Sequence, residues 1–240
     1  MWPPDADSLV ARQHELAEAA PALWRGADGS SAIGGCWVCF PRGLTGRGGA
    51  GDPAWAAAVV MREGRPVDQH QVVGAAGAAY QPGLLALRMG ALMERAVRGL
   101  RTRPDVLLLD ASSRDHPRRA GLALHLGAEL GMPTVGITHR PLLAEGEWPD
   151  DELGATSPLR IGETEVACWL RTRKGVRPLV VHPGWSMDLA TAVEIVLSTT
   201  RGRRTPEPLR RARHLTRRAR ADHDARLSAP TDPAASRAAP

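Results

Sequence analysis

The sequence predicts an α/β protein built on a mixed sheet, in which three antiparallel strands precede two parallel strands and helices flank both. The first three strand patterns are separated by short links, which favours an antiparallel meander, at 32–40, 54–62 and 66–73. The next patterns alternate between helix and strand, at 84–100, 105–110, 118–130 and 134–138. Among these, Val106–Leu109 is wholly apolar, so we expect a central strand that is buried on both faces.

The remaining patterns extend this core toward both ends of the chain. They predict a helix at 5–24, an irregular acidic segment at 140–163, strands at 165–173 and 178–181, and helices at 188–199 and 206–220. We expect the N-terminal helix, within residues 1–29, to pack on one domain of residues 30–215. Residues 216–240 overlap the end of the last helix and are basic, then rich in Ala and Pro. We expect this tail to be disordered.

The net charge of +5 is distributed unevenly along the chain. Residues 201–240 contain 11 Arg and four acidic residues, so they carry +7 and leave −2 for the first 200 residues. A basic end of this kind suits a polyanionic partner such as nucleic acid. A solvated Arg-rich tail would have the same composition, so the charge leaves both interpretations open.

Other bulk features concern the compartment of the protein. No run of 18 apolar residues occurs, and the first residues lack the basic and apolar segments of a signal peptide. Three Cys fit a reducing cytoplasm. Cys36 and Cys39 point to opposite faces of a predicted strand, so we interpret them as core thiols. We expect a cytoplasmic monomer without a membrane span.

Polar residues follow the central strand. Asp110 ends this strand, and His116, Arg118 and Arg119 come shortly after it. In open α/β sheets, ligands bind at the carboxyl ends of strands, so the stretch indicates a site for a phosphorylated ligand. The alternative is that Asp110 caps the next helix and that the two Arg lie on its solvated face.

Four motifs, in order along the chain, resemble the endonuclease V family, which are nucleases of deaminated, inosine-containing nucleic acid. The motifs are Tyr80-Gln81-Pro82-Gly83-Leu84-Leu85 with Arg88; Pro104-Asp105, Leu109-Asp110, His116-Pro117-Arg118-Arg119 and Gly121; Pro133-Thr134-Val135-Gly136-Ile137; and Pro206-Glu207-Pro208-Leu209-Arg210. Together they cover about residues 30–215. The resemblance implies a ribonuclease H-like fold, which the predicted order βββαβα also matches.

The resemblance further implies a Mg²⁺ site with four ligand positions. These positions hold Trp37, Met89, Asp110 and Arg213 here, and His214 follows one residue after the last. Only Asp110 is a metal ligand, so we expect Mg²⁺ to bind weakly or not at all. Trp37 would fill the space of the metal with Met89 beside it, and Arg213 would pair with Asp110.

The resemblance also implies a nucleic-acid interface. The loop with Tyr80, Pro82 and Gly83 would enter a duplex as a wedge, and a flipped base would lie near Gly83, Leu85 and the residues after Asp110. The other expected contacts are His116, Arg118, Arg119 and His139, where His139 stands at a family Lys position.

Two family Gly positions of the base pocket hold Ala111 and Ser113, so the sequence does not imply selectivity for inosine. The candidates for catalysis are Asp110, His116 and His214, and Glu94 or Asp115 could supply a replacement ligand.

Three functions are therefore open. The first is a family member that has lost its metal site and binds nucleic acid. The second is an active metal-dependent endonuclease with a rearranged site, acting near deoxyinosine or inosine in DNA repair. The third is a scaffold that binds a protein or small molecule in the former cleft. The substitutions favour the first.

Overall fold

An eight-stranded mixed sheet forms the centre of the molecule. The computed structural model describes residues 2–26, 31–43 and 47–228. Its elements are α1 (Ala6–Glu18), β1 (Ile33–Cys39), β2 (Pro53–Arg62), β3 (Arg65–Ala75), α2 (Leu85–Arg98), β4 (Val106–Leu109), α3 (Leu122–Leu130), β5 (Thr134–Thr138), β6 (Thr156–Ile161), β7 (Thr164–Leu170), β8 (Leu179–Pro183), α4 (Leu189–Thr200) and α5 (Glu207–Ser228).

The strand order across the sheet is β3-β2-β1-β4-β5-β8-β7-β6. β4 pairs in parallel with β1 and β5, whereas the other neighbouring strands are antiparallel. The predicted mixed sheet, antiparallel in β1–β3 and parallel in β4–β5, is confirmed. β4 lies fourth of the eight strands, and none of its four side chains reaches solvent, as its apolar sequence predicted.

Helices cover both faces of the sheet. α2 and α3 pack on one face with α1 outside them, and α4 and α5 pack on the other. The side chains of β1 alternate accordingly: Cys36 and Val38 join the cluster under α2 and α3, whereas Ile33 and Trp37 pack on the α4–α5 side. Burial of these two apolar layers supplies the main stabilisation of the fold.

A close backbone approach fixes where α5 crosses the sheet. A Cβ atom on Gly35 would lie 2.4 Å from the carbonyl carbon of Pro208, so this strand position accepts only glycine. Leu209 is buried against the same face. Further along the helix, the carbonyl of Thr216 accepts a bond from the Cys39 thiol at the end of β1. α5 therefore runs along β1 toward the carboxyl end of that strand.

The C-terminal helix is longer than the sequence predicted. We expected a helix to about residue 220 and a disordered tail over 216–240, but α5 continues to Ser228. Tertiary contacts explain the difference: Thr216 and Arg220 are buried, Arg220 donates to the Phe40 carbonyl at 3.0 Å, and His223 meets the Trp55 ring edge-on. Residues 229–240 of the expected tail lie outside the described residues.

β6 lies inside the segment 140–163, which the sequence predicted to be irregular. It pairs antiparallel with β7, and Leu159 is fully buried opposite Ala167. Leu159 is the one buried residue of this edge strand, so the sequence lacks the alternation of apolar and polar residues that identifies a strand.

Two helices are shorter than predicted. α1 ends at Glu18, because Ala19 is extended and Pro21 follows. α3 begins at Leu122 instead of residue 118, because the preceding residues form a turn in which Arg119 has a positive φ of 55°.

The three cysteines are free thiols buried in the core, as the sequence predicted for Cys36 and Cys39. Burial raises the pKa of Cys36 and of Cys168 to about 12, so both thiols stay protonated. In the part of the chain that the structure describes, no helix is both long and apolar enough to span a bilayer.

Candidate functional site

Asp110 lies at the edge of the sheet where the parallel strands β1, β4 and β5 end. It follows β4 directly and is half-buried. Alternation along β4 directs its side chain to the α5 side, where Arg213 is the cation that acts on it. Burial raises the pKa of Asp110 to about 6, and the positive charge of Arg213 opposes this effect. A carboxyl group with this pKa changes charge close to neutral pH.

Trp37 and Arg213 occupy the space beside Asp110. The parallel pair Cys36–Leu109 places Trp37 next to Asp110 in the register, and the Arg213 guanidinium lies 5.3 Å from the centroid of the Trp37 ring. Nε of Arg213 is buried and has no hydrogen-bond partner among the described residues. The structure thus brings Arg213 over Trp37, whereas no direct ion pair joins Arg213 to Asp110 within these residues.

Met89 lies elsewhere, which corrects the expectation that it fills space beside Trp37. It is buried in the cluster between α2 and the sheet, together with Leu92 and Met93. Trp37 packs on the opposite face, near α4 and α5. The two side chains therefore pack on opposite faces of the sheet, Met89 from α2 on one face and Trp37 from β1 on the other.

The possible replacement ligands are engaged elsewhere. Glu94 accepts from the Trp2 indole at 2.7 Å and pairs with Arg98. Asp115 is fully buried and accepts three backbone N–H bonds from residues 142–144 at 2.7–2.9 Å. His214 is exposed on α5.

The donor set does not fit Mg²⁺. This ion requires several oxygen ligands in octahedral geometry, and Asp110 offers one carboxylate beside an indole ring and a guanidinium. Within residues 2–26, 31–43 and 47–228, no group of three His, Cys, Asp or Glu side chains could hold a metal ion. No hydrolytic step through a metal follows from this arrangement.

The loop between β3 and α2 has a fixed base and an exposed tip. Gly83 has a φ of +75°, which favours glycine, and its carbonyl accepts from Gln13 at 3.1 Å and from Arg118 at 2.8 Å. Tyr80 and Pro82 are exposed at the tip. Leu85, one of the predicted base contacts, is half-buried at the start of α2 and packs on the core. The loop can therefore present Tyr80 without moving as a whole.

His116 is the third partner of this loop. Its Nε2 lies 3.1 Å from the Gly83 carbonyl, and its Nδ1 accepts from the Arg118 backbone N–H at 3.3 Å. Burial, followed by the charge of Arg118, lowers the pKa of His116 to about 4, so the ring is neutral near pH 7. Because Nδ1 accepts, Nε2 carries the proton and donates to Gly83. His116 thus positions the loop, and a catalytic role for it stays a prediction.

The two arginines after His116 also bind within the protein. Arg118 donates to Gln13 at 2.5 Å besides its bond to Gly83, and Arg119 reaches the Ile161 carbonyl at 3.5 Å. To contact a phosphate as predicted, each of these side chains must either use a donor that these bonds leave over or give up one of the bonds. In the segment before them, Ala111 and Ser113 are buried. A Cβ atom on Gly136 would lie 2.2 Å from the Ala111 carbonyl oxygen, so the backbone packs closely here.

His139 lies at the same edge, directly after β5. It is exposed, and its Nδ1 lies 3.0 Å from Arg204 Nη1. Partial burial lowers the pKa of His139, and the positive charges of Arg204, Arg213 and Arg177 lower it further. The edge near Asp110 is therefore rich in fixed positive charge, which suits a polyanionic ligand.

The sequence predicted phosphate contacts for the helix after Pro206, but it did not indicate that Arg213, Arg217 and Arg220 lie together with Arg42. Burial lowers the pKa of Arg217, and so do the neighbouring charges of Arg213, Arg220 and Arg42. The spacing of three and four residues on α5 could have identified this face, because it aligns side chains along a helix. The position of Arg42 next to them could not be read from the sequence.

Helices on both faces of a mixed sheet, with a carboxylate after its central strand, define a protein of the ribonuclease H-like fold. The family model described as Endonuclease V matches residues 30–214, and the chain belongs to the endonuclease V family.

Two relatives illustrate this membership, and the structure of a third protein has the same fold. Endonuclease V of Geotalea uraniireducens is 42% identical over 147 residues, which cover 61% of this chain and 63% of that protein, less than two thirds of its length. The structure of endonuclease V from Streptomyces avermitilis has a TM-score of 0.80 at 33% identity, covering 93% of this chain and 96% of that chain. A structure of Ciona intestinalis endonuclease V, with DNA containing an inosine followed by a ribo-adenosine, has a TM-score of 0.74 at 21% identity, covering 90% and 98%. At this identity the likeness concerns the fold.

Proposed function

We propose that this protein binds nucleic acid at the carboxyl edge of its sheet, at deaminated or otherwise distorted sites, and does not cleave the strand by metal-dependent hydrolysis. The observation that carries the proposal is the Arg213 guanidinium over the Trp37 ring, beside the lone carboxyl of Asp110. A guanidinium attracts a phosphate as a metal ion does, but it has no coordination position for a reacting water.

The loop with Tyr80 supports the binding half of the proposal. Its base is held by three donors to the Gly83 carbonyl, and its tip exposes Tyr80 and Pro82. Unstacking a base costs a few kcal/mol, and a rigid side chain inserted into the gap offsets part of this cost. The Ciona intestinalis endonuclease V has the same fold, and its structure was determined in complex with DNA. This complex supports nucleic acid as the class of ligand.

The hydrolytic half would require chemistry that these residues do not provide. Asp110, with a pKa of about 6, could accept a proton near neutral pH, but it faces a fixed cation and an apolar ring. Charge developing on a cleaved phosphate would be met by Arg213, and among the described residues no group of carboxylates or His beside Asp110 could hold a metal that activates a water. We therefore assign the site to binding.

The test uses purified full-length protein and labelled DNA and RNA duplexes with one inosine. We expect binding that weakens with salt, with a log–log slope of about −0.9 for each phosphate neutralised on duplex DNA. We expect no nicking with Mg²⁺ or Mn²⁺. Either metal should leave the melting temperature unchanged, because a ligand stabilises only a state that binds it.

The control for residual catalysis is Asp110→Ala, compared with the unchanged protein at equal concentration. Metal-dependent cleavage that disappears in Asp110→Ala would overturn the non-cleaving part of the proposal. A flat salt response for every nucleic acid would overturn the binding part and favour the scaffold hypothesis.

A further inference from the structure

Four arginines form a cluster at the carboxyl end of β1, here called the Arg42 cluster: Arg42, Arg213, Arg217 and Arg220. The last three are four and three residues apart on α5, which aligns them along one side of the helix, beside Ala212 and Thr216, which pack against the sheet. Arg42 follows β1 and acts electrostatically on Arg217. The cluster therefore combines one helix face with the end of the adjacent strand.

Two arginines of α5 that lie outside the cluster form ion pairs with a carboxylate. Arg210 and Arg211 both pair with Glu207, at 2.6 and 2.8 Å. Within the described residues, no member of the Arg42 cluster forms such an ion pair. The acidic groups that face the cluster are Asp110, on the Arg213 side, and Asp224, which lies near Cys39 and contacts His223.

Two members of the cluster are held in place by the protein. The Trp37 ring supports the Arg213 guanidinium, and Arg220 is 8% exposed and donates to the Phe40 carbonyl. Nε of Arg213 is buried and lacks a partner among the described residues, although a buried charged donor is costly to leave unpaired. Arg42 and Arg217 are exposed. An anion in contact with the cluster would satisfy Arg213 and relieve the repulsion among all four cations.

The dimensions of the cluster select the kind of anion. A helical rise of 1.5 Å per residue separates Arg213 from Arg220 by about 10 Å along α5. This span corresponds to about three base-pair steps of 3.4 Å along the axis of a duplex, so it is longer than the reach of one phosphate. A single small anion would leave most of this row unpaired, whereas a strand backbone carries a charge at each step.

Arg88 links the cluster to the loop that carries Tyr80: its guanidinium lies over the ring of Phe40, whose carbonyl accepts from Arg220, and it donates to the Ala78 carbonyl. Arg42 lies in the first part of the connector between β1 and β2, and the Gly48 carbonyl of the same connector accepts from the Tyr80 backbone N–H at 3.1 Å. Both features lie at the carboxyl edge of the sheet, so one nucleic acid could contact both.

We propose that the Arg42 cluster binds successive phosphates of one nucleic-acid strand beside the Tyr80 loop and holds this strand without a metal ion. The inference rests on the proposed function, because it names the groups that carry the affinity. Arg213 and Arg220 provide donors that the protein holds in place. The exposed side chains of Arg42 and Arg217 move to contact the phosphates of the strand.

The experiment measures fluorescence anisotropy of an inosine-containing duplex from 50 to 300 mM salt, without divalent metal. Arg217→Gln is compared with Arg218→Gln, which removes the same charge from the next, also exposed, residue of α5. We expect Arg217→Gln to weaken binding about tenfold and to reduce the magnitude of the salt slope by about 0.9. The double variant Arg42→Gln/Arg217→Gln should reduce it by about 1.8. Arg218→Gln should stay close to the unchanged protein.

The outcomes separate this inference from the proposed function. If the unchanged protein binds but Arg217→Gln and Arg218→Gln lose affinity equally, the effect is one of net charge and the cluster assignment is wrong. Equal affinity of all variants and the unchanged protein would also contradict it. If the unchanged protein does not bind any nucleic acid, both proposals fail. Equal melting temperatures of the variants would establish that lost binding is not lost folding.

Discussion

Arg88 is a buried cation that holds the Gly-rich connector before β2. It is 4% exposed and donates to the carbonyls of Gly49 and Ala78 and to Asp52, at 2.7–2.9 Å. Its guanidinium also lies 4.2 Å from the centroid of the Phe40 ring. The hydrogen bond from Arg88 is the main cause that lowers the pKa of Asp52. A buried charge is tolerated only when its donors are satisfied, and the planar guanidinium satisfies them with several carbonyls at once.

Replacing Arg88 with Lys should destabilise the protein although the charge is kept. A single ammonium group cannot reach all three acceptors, so we expect a loss of about 2–3 kcal/mol in the free energy of unfolding, measured by urea denaturation. Arg98→Lys, on the exposed last turn of the same helix, is the matched control and should change it by less than about 0.5 kcal/mol. Equal urea midpoints for the two variants would contradict this role of Arg88.

The sequence identified individual residues best where a motif fixed their chemistry. Asp110, after an apolar strand, and Tyr80, in a Pro-Gly loop, both lie at the carboxyl edge of the sheet, and their roles there stay predictions. The clamp on Gly83 was not predictable, because Gln13 is 70 residues away in the chain. The position of Met89 was wrong for a related reason: a ligand position in a motif does not state which face of the sheet the side chain occupies.

At the level of elements, α5 joins the carboxyl edge of the sheet to the core. Beyond residue 215 this helix makes three contacts at the end of the sheet. The Thr216 carbonyl accepts from Cys39, Arg220 donates to the Phe40 carbonyl, and His223 packs edge-on against Trp55. Trp55 is 2% exposed, so these turns help to exclude water from a large aromatic side chain.

A variant that ends at Leu215 should therefore be much less stable than one that ends at Ser228. Loss of the last turns exposes apolar surface, for which we expect a cost of about 3–5 kcal/mol and a fall in melting temperature of about 10 °C. The variant that ends at Ser228 removes residues 229–240 and retains every contact named above. We expect its melting temperature to equal that of the full chain. Equal melting of both truncations would mean that the helix beyond Leu215 does not stabilise the domain.

Element boundaries were predictable where local signals dominate. The helix predicted at 188–199 begins with Asp188, a residue type that caps helices, and its carboxylate accepts from the Thr191 N–H at the start of α4. β6 and the end of α5 escaped prediction, because neither has a periodic apolar pattern. Their structure depends on partners elsewhere, β7 for one and the end of β1 for the other.

On the scale of the whole molecule, buried histidines make stability depend on pH. Burial is the main cause that lowers the pKa of His116 and of His125 from 6.5 to about 4, and it lowers the pKa of the fully buried His182 as well. Asp110 acts in the opposite direction, because burial raises its pKa from 3.8 to about 6.

The sign of the effect follows from proton binding. Between pH 6.5 and 4 the unfolded chain protonates these histidines and the folded protein does not, so their contribution is complete above pH 6.5 and is lost as the pH falls. Each of His116 and His125 contributes about 3 kcal/mol to this loss. Asp110 contributes stability at low pH that is lost as the pH rises from about 4 to 6. It offsets part of the histidine effect, and we expect a net decrease in stability on acidification.

His125 offers the cleanest test of this prediction. Its ring is fully buried, stacks on Trp2 with centroids 4.6 Å apart, and has no hydrogen-bond partner for either nitrogen among the described residues. Glu129 lies 3.7 Å from Nε2 and favours the protonated form, but burial outweighs it. Phe matches the ring in shape and cannot bind a proton. The free energy of unfolding should therefore fall by about 3 kcal/mol less between pH 6.5 and 4 in His125→Phe than in the unchanged protein. The exposed His14→Phe serves as the control and should leave the decline unchanged. A decline of equal size in both variants would show that His125 is not buried in its neutral form.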